Sequence, residues 1–247
     1  MEDLQKQALT EHLADLRRSL INSLIAVAVG FGIAYSWSRE IGEWLFRPLF
    51  AVLPAGSTLI FTSYQEGFFF YLKIALAAGI LLASPVLFWQ IWRFIAPGLY
   101  QHEKRVILPF TVLSVGCFLG GAAFGYYVVF PPAFRFLVGY SNDFLTPLPA
   151  VKEYFSLALR LLIAFGLVFE LPVFMVLLSR LGVVDAPFLR RHRRYAFLFA
   201  FVIAAILTPT PDVINQCLMA IPLVVLYEIS IIAVGMAGKK SVPPPAE

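Results

Sequence analysis

The feature that most constrains this chain is a succession of long apolar runs separated by short polar connections. Six such runs fall at residues 19–38, 70–95, 107–137, 153–179, 195–208 and 214–236. A helix of about 20 apolar residues crosses the hydrocarbon core of a bilayer. Inside lipid, backbone groups find hydrogen-bond partners only in helices or closed barrels. The sequence therefore predicts an all-α integral membrane protein with six transmembrane helices.

Composition supports this class and leaves little room for anything else. Hydrophobic residues make up 60% of the chain and charged residues 14%, against about 25% charged in soluble domains. Six spans nearly exhaust the sequence, so residues 1–238 are predicted to form a single membrane domain. Residues 239–247 are predicted to be a disordered tail. The polar and amphipathic start of the chain does not resemble a cleaved signal peptide.

The basic residues predict the orientation. Of the 19 lysines and arginines, thirteen fall at the N-terminal arm, the second and fourth connections and the C-terminal tail. They are Lys6, Arg17, Arg18, Arg93, Lys104, Arg105, Arg180, Arg190, Arg191, Arg193, Arg194, Lys239 and Lys240. The opposite connections carry only Arg39, Arg47 and Lys152. Because lysine and arginine accumulate in cytoplasmic loops, both termini are predicted to be cytoplasmic.

Several spans depart from a regular helix in the sequence. Pro172 interrupts span four, since proline has no N–H to donate within a helix. Only 14 residues separate Arg194 from Pro209, which gives span five about 21 Å. The hydrocarbon core is about 30 Å thick, so the last two helices are predicted to form a short hairpin that deforms the bilayer. The long first outer connection, which contains Pro48, is predicted to form short helices that cap the outer surface.

Glu170 is the most unusual single residue, because it lies within the apolar run of span four. It precedes Arg180 by ten residues, or about 15 Å along a helix, which places it near the membrane midplane. One interpretation is a structural glutamate that is protonated or hydrogen-bonded to a neighbouring helix. The other is a polar feature that faces a cavity or a partner helix, which is the usual role of an intramembrane acid.

Catalytic and metal-binding signatures are missing from the sequence. There is no Gly-x-Ser-x-Gly context, no histidine inside a span and no phosphate-binding loop. Cys117 and Cys217 lie in apolar runs and are predicted to be small buried hydrophobes rather than disulfide or metal ligands. We therefore predict no enzyme, no metal, no cofactor and no nucleic-acid partner.

Two functional hypotheses arise from the residues alone. They are a secondary transporter that uses Glu170 as a proton carrier, and a structural anchor. The transporter is disfavoured because no inverted or parallel repeat is visible. The anchor is disfavoured because a buried acid is costly in a purely structural helix.

The assembled motifs resemble the TatC family, the polytopic core subunit of the twin-arginine protein translocase. The matching stretches run through nearly the whole chain. They are "HLADLRRSL", "FRPL", "GSTLIFTSYQEGFF", "SPVLFWQIWRFIAPGLYQHEKR", "VVFPPAF", "FGLVFELPVF" and "LTPTPDVINQCLMAIPLVVLYEI".

The resemblance implies a concave bundle of helices in the bacterial cytoplasmic (inner) membrane. It implies a receptor that binds twin-arginine signal peptides of folded precursors at its cytoplasmic face. The implied partners are the single-span proteins TatA and TatB, other copies of the chain itself and membrane lipids. Export of the folded precursor would then be powered by the proton-motive force.

The resemblance also implies a binding site for the signal peptide. Two acidic positions of the family match Glu103 in the first cytoplasmic loop and Asp15 in the arm, where the family typically has glutamate. Carboxylates accept bidentate hydrogen bonds from arginine in a geometry that lysine cannot reproduce. Arg17 and Arg105 would help to hold the carboxylates in place, and Phe94 matches a position tied to activity.

Four further positions are implied outside that site. Pro48 matches a residue of the outer, periplasmic cap that is tied to activity. Glu170 matches the intramembrane acid of span four, where it would be a polar docking feature for a partner helix. Asp212 and Gln216 lie at the outer end of span six, near the edge where a partner helix is expected to dock.

Overall fold

A computed structural model describes residues 2–54, 57–99, 107–139, 148–208 and 212–237. The described residues are almost entirely helical, which confirms the all-α part of the predicted fold class. The helices are α1 (Glu2–Ser36), α2 (Ser38–Phe50), α3 (Glu66–Leu99), α4 (Ile107–Phe124), α5 (Phe130–Val138), α6 (Val151–Phe169), α7 (Leu171–Arg180), α8 (Ala186–Arg191), α9 (Arg193–Leu207) and α10 (Val213–Ala237).

Within the described residues, five helical segments are long and apolar enough to cross a membrane. They are Leu13–Ser36, Glu66–Ile95, Ile107–Val138, Val151–Arg180 and Val213–Ala237. Each coincides with a predicted span to within a few residues, except that the first begins six residues earlier than predicted. The long apolar run thus determines the position of each segment.

The remaining predicted span corresponds to α9. This helix has 15 residues and a length of about 22 Å, less than the thickness of the hydrocarbon core. The prediction that both final helices are short is not confirmed, because α10 has 25 residues. An α10 of this length extends for about 37 Å, which is enough to cross a bilayer with some tilt.

One turn of π-helix, Gly125–Val129, joins α4 to α5 and widens the backbone. The cause lies in the next residues, because Pro131 and Pro132 have no N–H to donate to carbonyls four residues earlier. The Phe130 N–H instead donates to the Gly125 carbonyl, five residues back. The segment Ile107–Val138 therefore stays helical through two prolines.

Span four is broken at Glu170, as the position of Pro172 predicts. Helix α6 ends at Phe169, and Glu170 forms a turn before α7 begins at Leu171. The Glu170 N–H donates to the Leu167 carbonyl over a shortened turn. Because Pro172 has no N–H, the Val168 carbonyl loses its helical donor.

The described chain forms two compact units. Unit 1 comprises Met1–Arg47, Thr58–Gly116 and Pro149–Phe155. Unit 2 comprises Pro48–Ser57, Cys117–Leu148 and Ser156–Glu247.

Unit 1 is built on the pairing of α1 with α3, which pack along much of their length. A Cβ added to Gly30 would lie only 2.5 Å from the Gly79 carbonyl oxygen. Gly42 of α2 in turn contacts the ring of Phe70. Residue 30 thus lies beside residue 79, and the later residue 42 lies beside the earlier residue 70. The C-terminal end of α1 therefore lies near the start of α3, and the two helices are antiparallel.

The start of α6 closes one end of unit 1. The Tyr154 hydroxyl donates to the Leu45 carbonyl of α2 at 2.6 Å. The Phe46 ring packs against the rings of both Phe70 and Tyr154. These contacts fix α2 and the first turn of α6 to the start of α3.

Unit 2 contains a second close approach of two helices, between α4 and α6. A Cβ at Gly121 would lie 2.4 Å from the Phe165 carbonyl oxygen. A Cβ at Gly166 would overlap the Phe118 ring at 2.7 Å. Small residues at such contacts let helix backbones approach closely in membranes.

Helix α10 is the centre of the rest of unit 2, since it packs against α7, α8 and α9. Leu189, Ile231 and Val234 form a buried cluster between α8 and α10. The Tyr227 hydroxyl donates to the Leu189 carbonyl at 2.9 Å. This bond ties the short α8 to the middle of α10.

Candidate functional site

The residues predicted to bind a signal peptide lie on α1 and near the end of α3. Asp15 and Arg17 are exposed on α1, and Phe94 is half-buried on α3. Asp15 precedes Gly30 by fifteen residues, and Phe94 follows Gly79 by the same number. In an antiparallel pair that crosses at Gly30 and Gly79, both lie about 22 Å from the crossing, at the same end. Unit 1 therefore places Asp15 and Phe94 at the same height along the α1–α3 pair.

Glu103 and Arg105, the other two predicted residues of this site, lie outside the described residues. The described part of the chain before them ends with α3 at Leu99, four residues before Glu103. The structure therefore fixes the helix that leads to Glu103.

Glu170 lies at the break between α6 and α7, beside the close contact of α4 and α6. The preceding residue, Phe169, packs over Gly121 of α4. The Oε1 atom of Glu170 is buried, and the side chain interacts electrostatically with the Cys117 thiol. The ten residues from Leu171 to Arg180 make α7 about 15 Å long. The structure thus places the acid beside α4, at a point where the backbone of span four is interrupted.

Asp212 and Gln216 are both engaged in hydrogen bonds within unit 2. The Asp212 carboxylate accepts from the Asn215 backbone N–H at 2.7 Å and from the Asn215 side-chain amide at 3.0 Å. It thereby caps the start of α10. The Gln216 amide donates to the Phe201 carbonyl of α9 at 3.1 Å. Asp212 therefore caps α10, and Gln216 links α10 to α9.

Pro48 is buried in the last turn of α2. Its missing N–H removes one helical donor, and α2 ends two residues later at Phe50. The connection therefore contains a helix that ends two residues after Pro48, and its position as an outer cap stays a prediction.

The sequence analysis missed Glu66, whose carboxylate accepts three hydrogen bonds. Its side chain is only 8% exposed. Oε2 accepts from the Thr62 N–H at 2.7 Å and from the Thr62 hydroxyl at 2.8 Å. Oε1 accepts from the Lys152 N–H at 2.6 Å, across 86 residues of sequence. Glu66 therefore joins the loop before α3 to the start of α6.

A sequence signal for Glu66 does exist, although a weak one. It is an acidic residue in the first turn of a long apolar helix, where a carboxylate is favoured by the helix dipole. The backbone of residues 60 and 150 pairs alongside it, since the Val151 N–H donates to the Ile60 carbonyl. Only the fold brings these two segments together.

These features define a class of protein: a multi-pass α-helical membrane protein with an acidic residue at a helix break within one span. The comparisons with known proteins identify the family. A family model for the Sec-independent protein translocase protein TatC matches residues 11–222. The chain belongs to the TatC family, and it is a component of a Sec-independent protein translocase.

Individual relatives cover nearly the whole chain. TatC of Desulforapulum autotrophicum is 48% identical over 236 residues, which are 96% of this chain and 87% of that protein. TatC of Magnetococcus marinus is 47% identical over 227 residues, 92% of this chain and 83% of that protein. The crystal structure of a twin-arginine translocase receptor, TatC, superposes with a TM-score of 0.78 at 43% identity. It covers 92% of this chain and 100% of the crystallised chain.

Proposed function

We propose that this chain is the receptor and scaffold subunit of a twin-arginine translocation system, with no catalytic turnover of its own. It binds twin-arginine signal peptides of folded precursors at the cytoplasmic face. It then recruits TatA and TatB, and the proton-motive force drives export. The observation that carries this proposal is the antiparallel α1–α3 pair, which brings Asp15 and Phe94 to one level within a chain of the TatC family.

The chemistry of the exposed arm supports recognition of arginine. Asp15 is exposed on α1, and Glu103 follows the end of α3 by four residues. A carboxylate from each segment pairs with one guanidinium of the signal peptide through two parallel hydrogen bonds. Arg17 and Arg105 hold the carboxylates in place, and Phe94 offers an apolar surface beside them.

The same proposal gives Glu170 and the α9–α10 turn a role in docking partner helices. Polar groups within membrane spans attract polar groups of neighbouring helices, because water is absent. Glu170 at its helix break presents a carboxylate to such a partner. Asp212 and Gln216 act by fixing the shape of the outer turn on which the partner rests, and Pro48 shapes the cap.

The topology completes the proposal. Six spans cross the bacterial inner membrane as one domain of residues 1–238, with α9 as the fifth span and both termini in the cytoplasm. A helix of about 22 Å crosses only where the bilayer is thinned. The high density of arginine around α8 supports a cytoplasmic position for that connection.

A crosslinking experiment with a matched charge reversal tests signal-peptide recognition. A photoreactive residue replaces Phe94 in the full-length protein, which is purified in detergent and mixed with a twin-arginine signal peptide. We expect a crosslink that Glu103→Arg and Asp15→Arg each reduce by about tenfold, the effect of losing about 1.4 kcal/mol of binding.

The control is Glu40→Arg, which reverses an exposed carboxylate on α2. It should leave the crosslink unchanged. A lysine pair in place of the two arginines of the peptide should lower the yield in the unsubstituted protein. Full crosslinking in Glu103→Arg would overturn the assignment of the site.

A further inference from the structure

The connection between α7 and α9 contains a cationic pocket that the proposed function leaves unused. Its volume is about 530 Å³, within the range of about 300–1,000 Å³ for small-molecule sites. The pocket is lined by Asp185, Pro187, Phe188, Arg191, His192, Arg194 and Tyr195. All of these residues belong to unit 2, and they lie where α8 meets the first turn of α9.

The two arginines of this pocket, Arg191 and Arg194, form no ion pair with a carboxylate among the described residues. Arg193, between them in sequence, pairs with Glu228 of α10 at 2.6 Å. Within the residues that the structure describes, neither Arg191 nor Arg194 forms an ion pair. Arg194 donates instead to the Tyr195 hydroxyl at 3.1 Å, and its guanidinium lies 4.8 Å from the centre of that ring.

The one acidic side chain of the pocket already has a partner. Asp185 accepts a hydrogen bond from the Phe188 N–H at 2.7 Å and so caps α8. The lining also includes an aromatic pair, since the His192 ring packs on Phe188 with centres 4.1 Å apart. The His192 Nδ1 also lies 2.8 Å from the Phe188 carbonyl, which fixes the orientation of the ring. The pocket is therefore an open surface concavity with two arginines and one aspartate, and so with an excess of positive charge.

An apolar stripe continues from the pocket along α9. Tyr195, Leu198, Val202 and Ile206 follow one another at spacings of three and four residues, so they share one face of the helix. All four are exposed, from 45% at Tyr195 to 73% at Ile206. This arrangement is complementary to a phospholipid: the cationic pocket matches a charged headgroup, and the apolar stripe matches an acyl chain.

We propose that this pocket binds the phosphodiester headgroup of an anionic phospholipid, with an acyl chain lying along the stripe on α9. Arg191 and Arg194 donate to the phosphate oxygens in the planar geometry that guanidinium groups favour. Tyr195 lies at the boundary between headgroup and acyl chain, where amphipathic aromatic rings are enriched. A bound lipid would cover the exposed side of a helix that is too short to span an undisturbed bilayer.

The test uses the full-length protein purified in detergent, with native mass spectrometry to count retained lipid. The probes are phosphatidylglycerol and phosphatidylcholine with identical acyl chains. We expect phosphatidylglycerol to be retained in preference to phosphatidylcholine. Arg191→Gln with Arg194→Gln should lower its affinity by about thirtyfold, the effect of two basic side chains at an anionic headgroup.

A matched control removes the same charge elsewhere in the connection. Arg190→Gln with Arg180→Gln alters two arginines outside the pocket lining and should keep the preference for phosphatidylglycerol. An equal loss in both double variants would show a diffuse charge effect and would overturn the site. Equal retention of the two lipids by the unsubstituted protein would also overturn it.

A second arm separates a lipid from a free phosphate. Inorganic phosphate at millimolar concentration should not displace phosphatidylglycerol, because the apolar stripe contributes to lipid binding alone. Displacement by phosphate would overturn the lipid assignment. Leu198→Asn with Val202→Asn should weaken retention of the lipid while leaving both arginines in place.

Discussion

Glu66 in unit 1 and Glu170 in unit 2 are both carboxylates that adjoin apolar helices, and their surroundings differ. Glu66 accepts three hydrogen bonds from Thr62 and Lys152 within a closed arrangement of loop and helix ends. Glu170 lies within a span, at a helix break where a proline has removed one backbone donor.

The difference separates two uses of a carboxylate in an apolar protein. A carboxylate that accepts several N–H and O–H groups is committed to the fold, because removing it leaves those donors without their protein acceptor. A carboxylate at a helix break within a span presents a hydrogen-bonding group among apolar lipid chains, which have none. We therefore expect substitutions at Glu66 to act on stability and substitutions at Glu170 to act on export.

The largest effect on stability is expected for Glu66→Ala. The change leaves the N–H groups of Thr62 and Lys152 without their carboxylate acceptor, so we expect a clear fall in the melting temperature. Thermal unfolding in detergent, followed by size-exclusion chromatography with fluorescence detection, measures the loss. The control Glu43→Ala removes a mostly exposed carboxylate paired with Arg39 and should cost less than about 1 kcal/mol. Equal melting of the two variants would contradict the structural role of Glu66.

A smaller loss is expected where helices meet through glycine. In unit 1, Gly79→Ala places a Cβ 2.6 Å from the Phe31 backbone nitrogen and should cost about 2 kcal/mol. Gly32→Ala on the partner helix meets no atom within 4 Å and should be neutral or slightly stabilising. In unit 2, Gly121→Ala should destabilise and its neighbour Gly120→Ala should not. Equal effects within each pair would show that these close approaches do not limit packing.

Substitutions at Glu170 are expected to change export, so an export assay rather than thermal unfolding measures their effect. Glu170→Leu should reduce export about tenfold, equivalent to about 1.4 kcal/mol, because it removes the polar group offered to a partner helix. Glu170→Gln keeps a hydrogen-bonding group and should be milder. Full activity of both variants would leave Glu170 with no role in export.

The smallest effect is expected for Gln216→Leu, which removes one bond between α9 and α10. Interhelical hydrogen bonds in membrane proteins contribute about 0.6 kcal/mol on average. The melting temperature should therefore fall only slightly, with Ile221→Leu at an exposed position of α10 as the control. A loss as large as that of Glu66→Ala would mean that the stability of unit 2 also depends on a single hydrogen-bonded polar side chain.

The sequence was a good guide to the helices of this protein and to the residues that interrupt them. The run at 153–179 became α6 and α7, which together cover Val151–Arg180, with the break next to Pro172 as predicted. These features depend on local chemistry, namely the apolar length that a bilayer requires and the missing N–H of proline. The roles of the predicted site residues stay predictions, and Glu103 and Arg105 lie outside the described residues. Glu66 was missed because its partner lies 86 residues away.

The sequence alone thus determined the class of protein, the positions of its apolar segments and the position of Glu170 within span four. The tertiary structure decided which surfaces meet: Gly30 with Gly79, Gly121 with Phe165, and Gln216 with Phe201. The physical reason is the solvent. In lipid, a helix is apolar on all sides, so its sequence has no polar face to indicate which side packs against protein. Close packing at small residues and a few hydrogen bonds make that choice, and both depend on residues far apart in the chain.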